Sequence, residues 1–353
     1  MKIAFLIDDD DLTNGGARPL INWARHSGSD CKIVSISSKL KIEDSNFINA
    51  GSIAELSKVI YGYDYLVVSD HNLGLGLKIK KAAGIKLAVY VQILFGMHGL
   101  WLKSNSSTFL KRLFFLISTI IPFRFLTRGY RRKLKSCDVI IANSENIETL
   151  LNFVYGIEEA PIVFPPVDTD FFSPSAEIKK DSILIFTGRE EDDNNYSLIP
   201  KIVKVALENG LKVQVFGRGI KLQHLDLYGP QISINGRISD YELVILYNRS
   251  LVTICIQKQE FFGYVPIESM SCGTPVITLY RHDAEKFISN CEEGCIIRSD
   301  AGSIERDMIH FIRNSSDSSL REKCRRVALD FSVDKSTDRL KEALMKNRGI
   351  HKG

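Results

Sequence analysis

Two glutamates stand eight residues apart in the stretch Glu260-Phe-Phe-Gly-Tyr-Val-Pro-Ile-Glu268. An apolar run, Leu251 to Ile256, leads up to the first and reads as a strand. Gly263 loosens the chain, and Pro266 falls in the first turn of the helix that follows, where its missing N–H costs nothing. Gly273-Thr-Pro275 closes that helix, and Val276 and Ile277 begin another strand. A strand, a glycine turn and a helix N-terminus together present backbone N–H groups that have no partner within the helix, which is a seat for an anion. The carboxylates add acceptors for hydroxyl groups. The chemistry therefore points to a ligand that carries both phosphate and hydroxyls. Glutamate pairs at this spacing also occur on solvated helix faces, so the surrounding string carries the argument.

The string Glu260 to Ile277 resembles the E-x7-E region of the family 4 glycosyltransferases, whose usual form is E-G-F-G-x-x-x-x-E-[AS]-M-[AS]-C-G-T-P-V-[IV]. The chain departs from it at Phe261 and Tyr264. Ile183-Leu-Ile-Phe-Thr-Gly188-Arg189 is similar to that family's strand-G-R segment, but the lysine expected five residues later is Asn194, within Glu190-Glu-Asp-Asp-Asn-Asn195. Lys258 and Arg218 are the cations that would substitute for it. Val215-Phe-Gly217 resembles the glycine turn beside the donor, and Asn235-Gly-Arg237-Ile238-Ser-Asp-Tyr-Glu-Leu243 the segment that flanks the nucleobase. The dinucleotide fingerprint G-x-G-x-x-G is absent.

The resemblance implies an α/β chain of GT-B fold, with two Rossmann-like doubly wound domains facing across a cleft. It implies a retaining transfer of a sugar from a nucleoside-diphosphate-sugar to a hydroxyl acceptor, whether glycan, polysaccharide or lipid-linked. Glu260 and Arg189 would be catalytic. Glu260 would hold sugar hydroxyls and Glu268 the ribose, while Arg189 and the amides of Tyr264 and Val265 would stabilise the leaving diphosphate. Gly188, Gly217, Arg237, Ile238 and Gly263 would complete the donor site. In the first half, Gly15 and Gly16 follow the Asp8–Asp11 run at the turn before a helix, with Arg18 where the family has an acidic residue. Gln92 would reach the sugar, and His98 would lie near the acceptor. No metal and no cofactor are implied, since the nucleotide-sugar is a substrate.

Apolar runs alternate with helical patterns, the signature of parallel α/β sheets. Expected strands are Lys2–Ile7, Lys32–Ile36, Tyr65–Val68, Lys86–Gln92, Asp138–Ala142 and Ile162–Phe164. The pattern then restarts with Ser182–Thr187, Lys212–Phe216, Ile232–Ile234, Leu251–Ile256, Val276–Thr278 and Cys295–Ile297. Pro165 to Pro174 reads as a linker. Residues 1–166 are expected to form an acceptor-side domain, against which a C-terminal helix of about 334–353 packs, and 167–333 a donor-binding domain.

The chain has 353 residues and a net charge of +4, too little on its own to argue for nucleic acid as a partner. The charge is uneven: 109–135 holds eight basic residues and no acid, so the remainder is net acidic. Interleaved with apolar residues, this segment reads either as a core helix with a solvated basic face or as an interfacial contact with an anionic membrane surface, and the second is the expectation taken forward. Seven scattered cysteines suit buried thiols in a reducing compartment better than a disulfide framework. A cytoplasmic location, with peripheral contact at the cytoplasmic membrane face, follows as the expectation. Two rivals remain. One is a nucleotide-sugar hydrolase or epimerase that would draw its acid and base from His98 and the Asp8–Asp11 run. The other is a non-catalytic nucleotide-sugar-binding protein, suggested by Asn194.

Overall fold

The computed structural model describes residues 1–8, 16–28, 30–37, 40, 46–92, 127–188, 195–217, 229–257, 262–279, 295–315 and 317–346. The chain divides into two compact units, Met1–Pro166 with Val333–Gly353, and Val167–Ser332.

In the first unit the described strands are β1 (Ile3–Leu6), β2 (Cys31–Ser35), β3 (Phe47–Asn49), β4 (Tyr65–Ser69), β5 (Lys86–Val91) and β6 (Val139–Ala142). They form a wholly parallel sheet in the order β3-β2-β1-β4-β5-β6. Its helices are α1 (Arg18–His26), α2 (Ile53–Val59), α3 (Leu73–Ala83), α4 (Arg128–Lys135), α5 (Glu145–Tyr155) and α11 (Val333–Lys346). Both faces are covered, so the central strands are buried throughout, as parallel sheets require. One face packs α1 and α11 around Trp23, whose ring stacks on Phe5 and meets Tyr90 edge-on at 4.8 Å. Trp23 Nε1 donates to Ser336 Oγ at 2.9 Å and Tyr65 OH to the Leu344 carbonyl at 2.8 Å, which ties α11 into this core. Ser144 caps α5, accepting from the Ile147 amide.

The second unit repeats the plan. Its strands are β7 (Ser182–Phe186), β8 (Lys212–Phe216), β9 (Ile232–Asn235), β10 (Ser250–Cys255), β11 (Val276–Thr278) and β12 (Ile296–Arg298), parallel in the order β12-β11-β10-β7-β8-β9. Counted from its own first strand, this is the same 3-2-1-4-5-6 order as the first sheet. Such an order reverses direction between the first and fourth strands, here β7 and β10, and ligands bind outside the carboxyl ends of the strands at that reversal. Helices α6 (Ile199–Glu208) and α9 (Ile304–Arg313) cover one face, while α7 (Asp240–Arg249), α8 (Tyr264–Ser271) and α10 (Ser318–Ala328) belong to the other.

Two departures from the sequence reading stand out. Ile162–Phe164 is not a strand. It makes a single bridge from Ile162 to Ala142, because Pro161 interrupts the pairing on one side and Pro165 and Pro166 on the other. The three-residue edge strand Phe47–Asn49 was not foreseen. None of the described cysteines forms a disulfide, and five of them are buried. Among the described residues, no helix is long and apolar enough to cross a membrane.

Candidate functional site

At the carboxyl edge of the second sheet, three strands run into glycines. β7 ends in Thr187 and Gly188, β8 in Gly217, and β9 in Gly236 and Arg237. Strand pairing continues into them: the Thr187 amide donates to the Phe216 carbonyl at 3.0 Å and the Gly217 amide to the Gly236 carbonyl at 3.3 Å. Gly217 adopts φ +135°, and a Cβ there would come within 2.3 Å of Thr187 Oγ1 and 2.9 Å of the Gly188 carbonyl. The two turns close on each other only because one of them lacks a side chain. Gly188 and Gly217, singled out separately in the sequence, are thus brought together.

At the neighbouring strand β10 the ladder runs one residue further, with the Ile256 amide donating to the Phe186 carbonyl at 3.1 Å. Asn195 then clamps Ile256, its backbone and side-chain N–H groups both donating to the Ile256 carbonyl at 3.1 Å. Gln257 follows, 1% exposed, and its Oε1 has no hydrogen-bond partner among the described residues.

Gly263 opens α8 at φ +75°, a left-handed geometry that spares the helix a capping side chain. The first turn presents the amides of Tyr264 and Val265, and Pro266 is the third helical residue. Such a terminus carries partial positive charge suited to an anion. Glu268 lies one turn further, 1% exposed, and its Oε2 accepts from Tyr247 OH at 3.0 Å. Burial first, and then the Glu268 side chain, hold the Tyr247 phenol well above its usual range, so Tyr247 stays a phenol and donates to Glu268. Ser269 anchors the helix by donating to Thr253 Oγ1 at 2.8 Å.

Arg237 is exposed and Ile238 half-buried at the start of the segment leading into α7, where Ser239 and Glu242 form a capping box. In the first unit, Gly16 is half-buried, and its carbonyl accepts from Gln92 Nε2 at 2.8 Å. One Gln92 amide hydrogen therefore holds the turn before α1. Arg189, Glu260, Gly15 and His98 lie outside the described residues, as do Asn194, Arg218 and Lys258. Sequence reasoning did not single out Tyr247, Asn195, Thr187 or Gln257. The signal for Tyr247 was weak, since it lies on a different helix from Glu268. Among the described residues, no group of three or more His, Cys, Asp or Glu side chains is placed to hold a metal ion.

Residues 168–329 match the family model of glycosyl transferases group 1. The matched stretch coincides closely with the second unit and contains every second-unit residue discussed above. Comparison with curated proteins finds no match. Among solved structures, the chain is similar to HepE from Anabaena in complex with UDP, with 14% identity over 98% of this chain and 100% of that one at a TM-score of 0.70. It is similar to sucrose-phosphate synthase from Thermosynechococcus elongatus, with 15% identity over 98% of both chains and a TM-score of 0.70. A glycosyltransferase from Rickettsia africae shares 18% identity over 99% of both chains at a TM-score of 0.68. The fold is accordingly that of the GT-B glycosyltransferases, with two Rossmann-like domains.

Proposed function

We propose that the chain is a retaining glycosyltransferase that moves a sugar from a nucleoside-diphosphate-sugar to a hydroxyl acceptor. The observation that carries this reading is the carboxyl edge of the second sheet. Glycine turns after β7 and β8, the N-terminus of α8 and a buried carboxylate on the same helix meet the chemistry of a donor with phosphates and hydroxyls. HepE, of the same fold, has been solved with UDP-glucose as well as UDP. In this reading Glu268, steadied by Tyr247, accepts the ribose hydroxyls. Gly188 and Gly217 let the backbone approach the donor, and Arg237 and Ile238 flank the base.

Bond cleavage leaves negative charge on the departing diphosphate, and donors aimed at that charge lower the barrier. The Tyr264 and Val265 amides and Arg189 take this role, and Glu260 holds the transferred sugar. The scheme assigns no step to a metal or a cofactor. The first unit, with Gly15, Gly16, Gln92 and His98, is assigned to the acceptor. An anionic membrane surface is the further partner, met through 109–135, and a lipid-linked acceptor would suit that placement. The reading places the protein in the cytoplasm, peripheral to the membrane.

Binding and turnover with UDP-, GDP-, ADP- and dTDP-sugars test the reading. A ribose-binding carboxylate accepts charge-assisted bonds of about 1.5–3 kcal/mol each, so Glu268→Gln should weaken nucleotide binding by roughly tenfold to a hundredfold. Arg189→Ala should lower turnover by orders of magnitude, because its interaction strengthens as the leaving group gains charge. Undiminished nucleotide affinity in Glu268→Gln would remove the donor-site assignment.

A further inference from the structure

Gln257, at the switch point between β7 and β10, is buried, and its Oε1 has no hydrogen-bond partner among the described residues. Strand alternation gives its direction. Thr253 faces α8, since it accepts from Ser269, whereas Ile254 and Ile256 belong to the apolar core on the opposite face. Gln257 therefore lies on the α8 side. Its height above the helix also follows. Thr253 and Ser269 are level, and α8 runs antiparallel to β10, as a crossover helix between parallel strands does. Four strand residues advance about 13 Å, while the five helical residues back to Tyr264 span only about 7 Å. Gln257 thus stands past the first turn of α8, beyond the seat for a diphosphate and away from Glu268 in the helix body.

A neutral amide oxygen without a partner takes a hydrogen, and ionised phosphate oxygens have none to give, whereas a hydroxyl does. With the ribose assigned to Glu268 and the diphosphate to the helix terminus, the next group along the donor is the sugar. We propose that Gln257 is a specificity-determining residue that accepts a hydrogen bond from a hydroxyl of the transferred sugar. The inference rests on the donor-site reading above. It explains why evolution would leave a buried amide oxygen unsatisfied at the end of a central strand: a bound sugar supplies the missing donor.

Gln257→Met, of similar volume and without the amide, tests it. The probes are the UDP-, GDP-, ADP- or dTDP-glucose that stabilises the wild-type chain most, and the matching nucleoside diphosphate. Three results are expected together. The melting temperature of the ligand-free variant stays equal or rises, since the amide oxygen removed has no partner among the described residues. Affinity for the nucleotide-sugar falls roughly threefold to tenfold, the scale of one neutral hydrogen bond. Affinity for the diphosphate is unchanged. A fall in ligand-free melting temperature would give Gln257 a structural role instead and overturn the proposal. So would equal losses for nucleotide-sugar and diphosphate, or no loss for either. A variant too unstable to assay would also overturn it, and Gln257→Leu repeats the stability measurement with a second apolar side chain. Failure of the wild-type chain to bind any of these probes would instead overturn the donor-site reading itself.

Discussion

Glu268 is buried on α8 and accepts from Tyr247, and Lys180 bonds two groups at the amino edge of the second sheet. The placement of Glu268 on a helix behind a strand and a glycine was legible because the whole motif is local, within Leu251 to Ser271. Its partner Tyr247 was not, because that hydrogen bond depends on how α7 packs against α8. Lys180 was missed for a similar reason. Nothing local in Glu177-Ile-Lys-Lys-Asp181 marks it, yet its Nζ donates to the Ser250 carbonyl and to Thr274 Oγ1 at the amino edge of the second sheet. Burial, aided by the charge of Arg321, lowers its pKa from 10.5 to about 7. Because the folded state holds its proton less tightly, the unfolded chain binds more protons between about pH 7 and 10.5, and stability rises with pH across that window. The cost of charging Lys180 in the fold is fully present below pH 7. Lys180→Met removes this dependence along with the two hydrogen bonds. The wild type should therefore gain stability relative to Lys180→Met as pH rises from 7 to 9.5, by at most about 1.4 kcal/mol per pH unit. Urea unfolding of both proteins across that range checks it, and parallel curves would mean that Lys180 is solvated.

At the scale of elements, continuous apolar runs revealed most strands because both faces of each sheet are covered, so strands such as Tyr65–Ser69 are buried at every position. Edges were harder. Phe47–Asn49 is short and only half-buried, and Ile162–Phe164 has the right composition but prolines on both sides. Connections between distant elements leave no local trace at all. Arg325 on α10 is an example: its Nη1 donates to the Thr169, Phe172 and Ser271 carbonyls and to Ser271 Oγ. One guanidinium thus joins the start of the second unit, the end of α8 and α10. Arg325→Ala would leave carbonyls without their donor, and bonds to charged groups are worth about 1.5–3 kcal/mol. We expect a loss of about 2 kcal/mol, seen in calorimetry as a melting temperature lower by roughly 4–8 °C. Arg325→Lys should recover only part of it, since an ammonium cannot reproduce the planar fork. A melting temperature within a degree of wild type would show that the other contacts of α10 suffice.

Over the whole molecule, the restart of the strand pattern after Pro174 exposed the duplicated plan, and each unit proves to have the same strand order. What composition could show of the surface was its charge, not its arrangement. The described part of the basic segment is α4, on which Arg128, Arg132, Lys133 and Lys135 are exposed while Leu134 is buried. α3 runs beside it, close enough that a Cβ on Gly74 would lie 4.0 Å from Lys133 Nζ, and α3 adds exposed Lys78 and Lys81. Neither helix carries an acidic residue, and Lys80 pairs with Asp138 at 2.7 Å just beyond α4. The first unit therefore presents a two-helix cationic face, and the partner proposed for it is an anionic bilayer. Each basic residue near such a surface contributes about 1 kcal/mol, weakened by salt over a Debye length. Replacing Arg132, Lys133 and Lys135 by Gln should thus cut binding to phosphatidylserine-containing vesicles by roughly a hundredfold at low salt. Arg131 is left in place because its guanidinium lies against Gly156 at the end of α5, where it supports the fold. Sedimentation with vesicles, at low and at physiological salt, reads the result. Intact protein that stays in the supernatant at low salt would return this face to ordinary solvated surface, and equal sedimentation of the triple variant would place the membrane contact elsewhere on the chain.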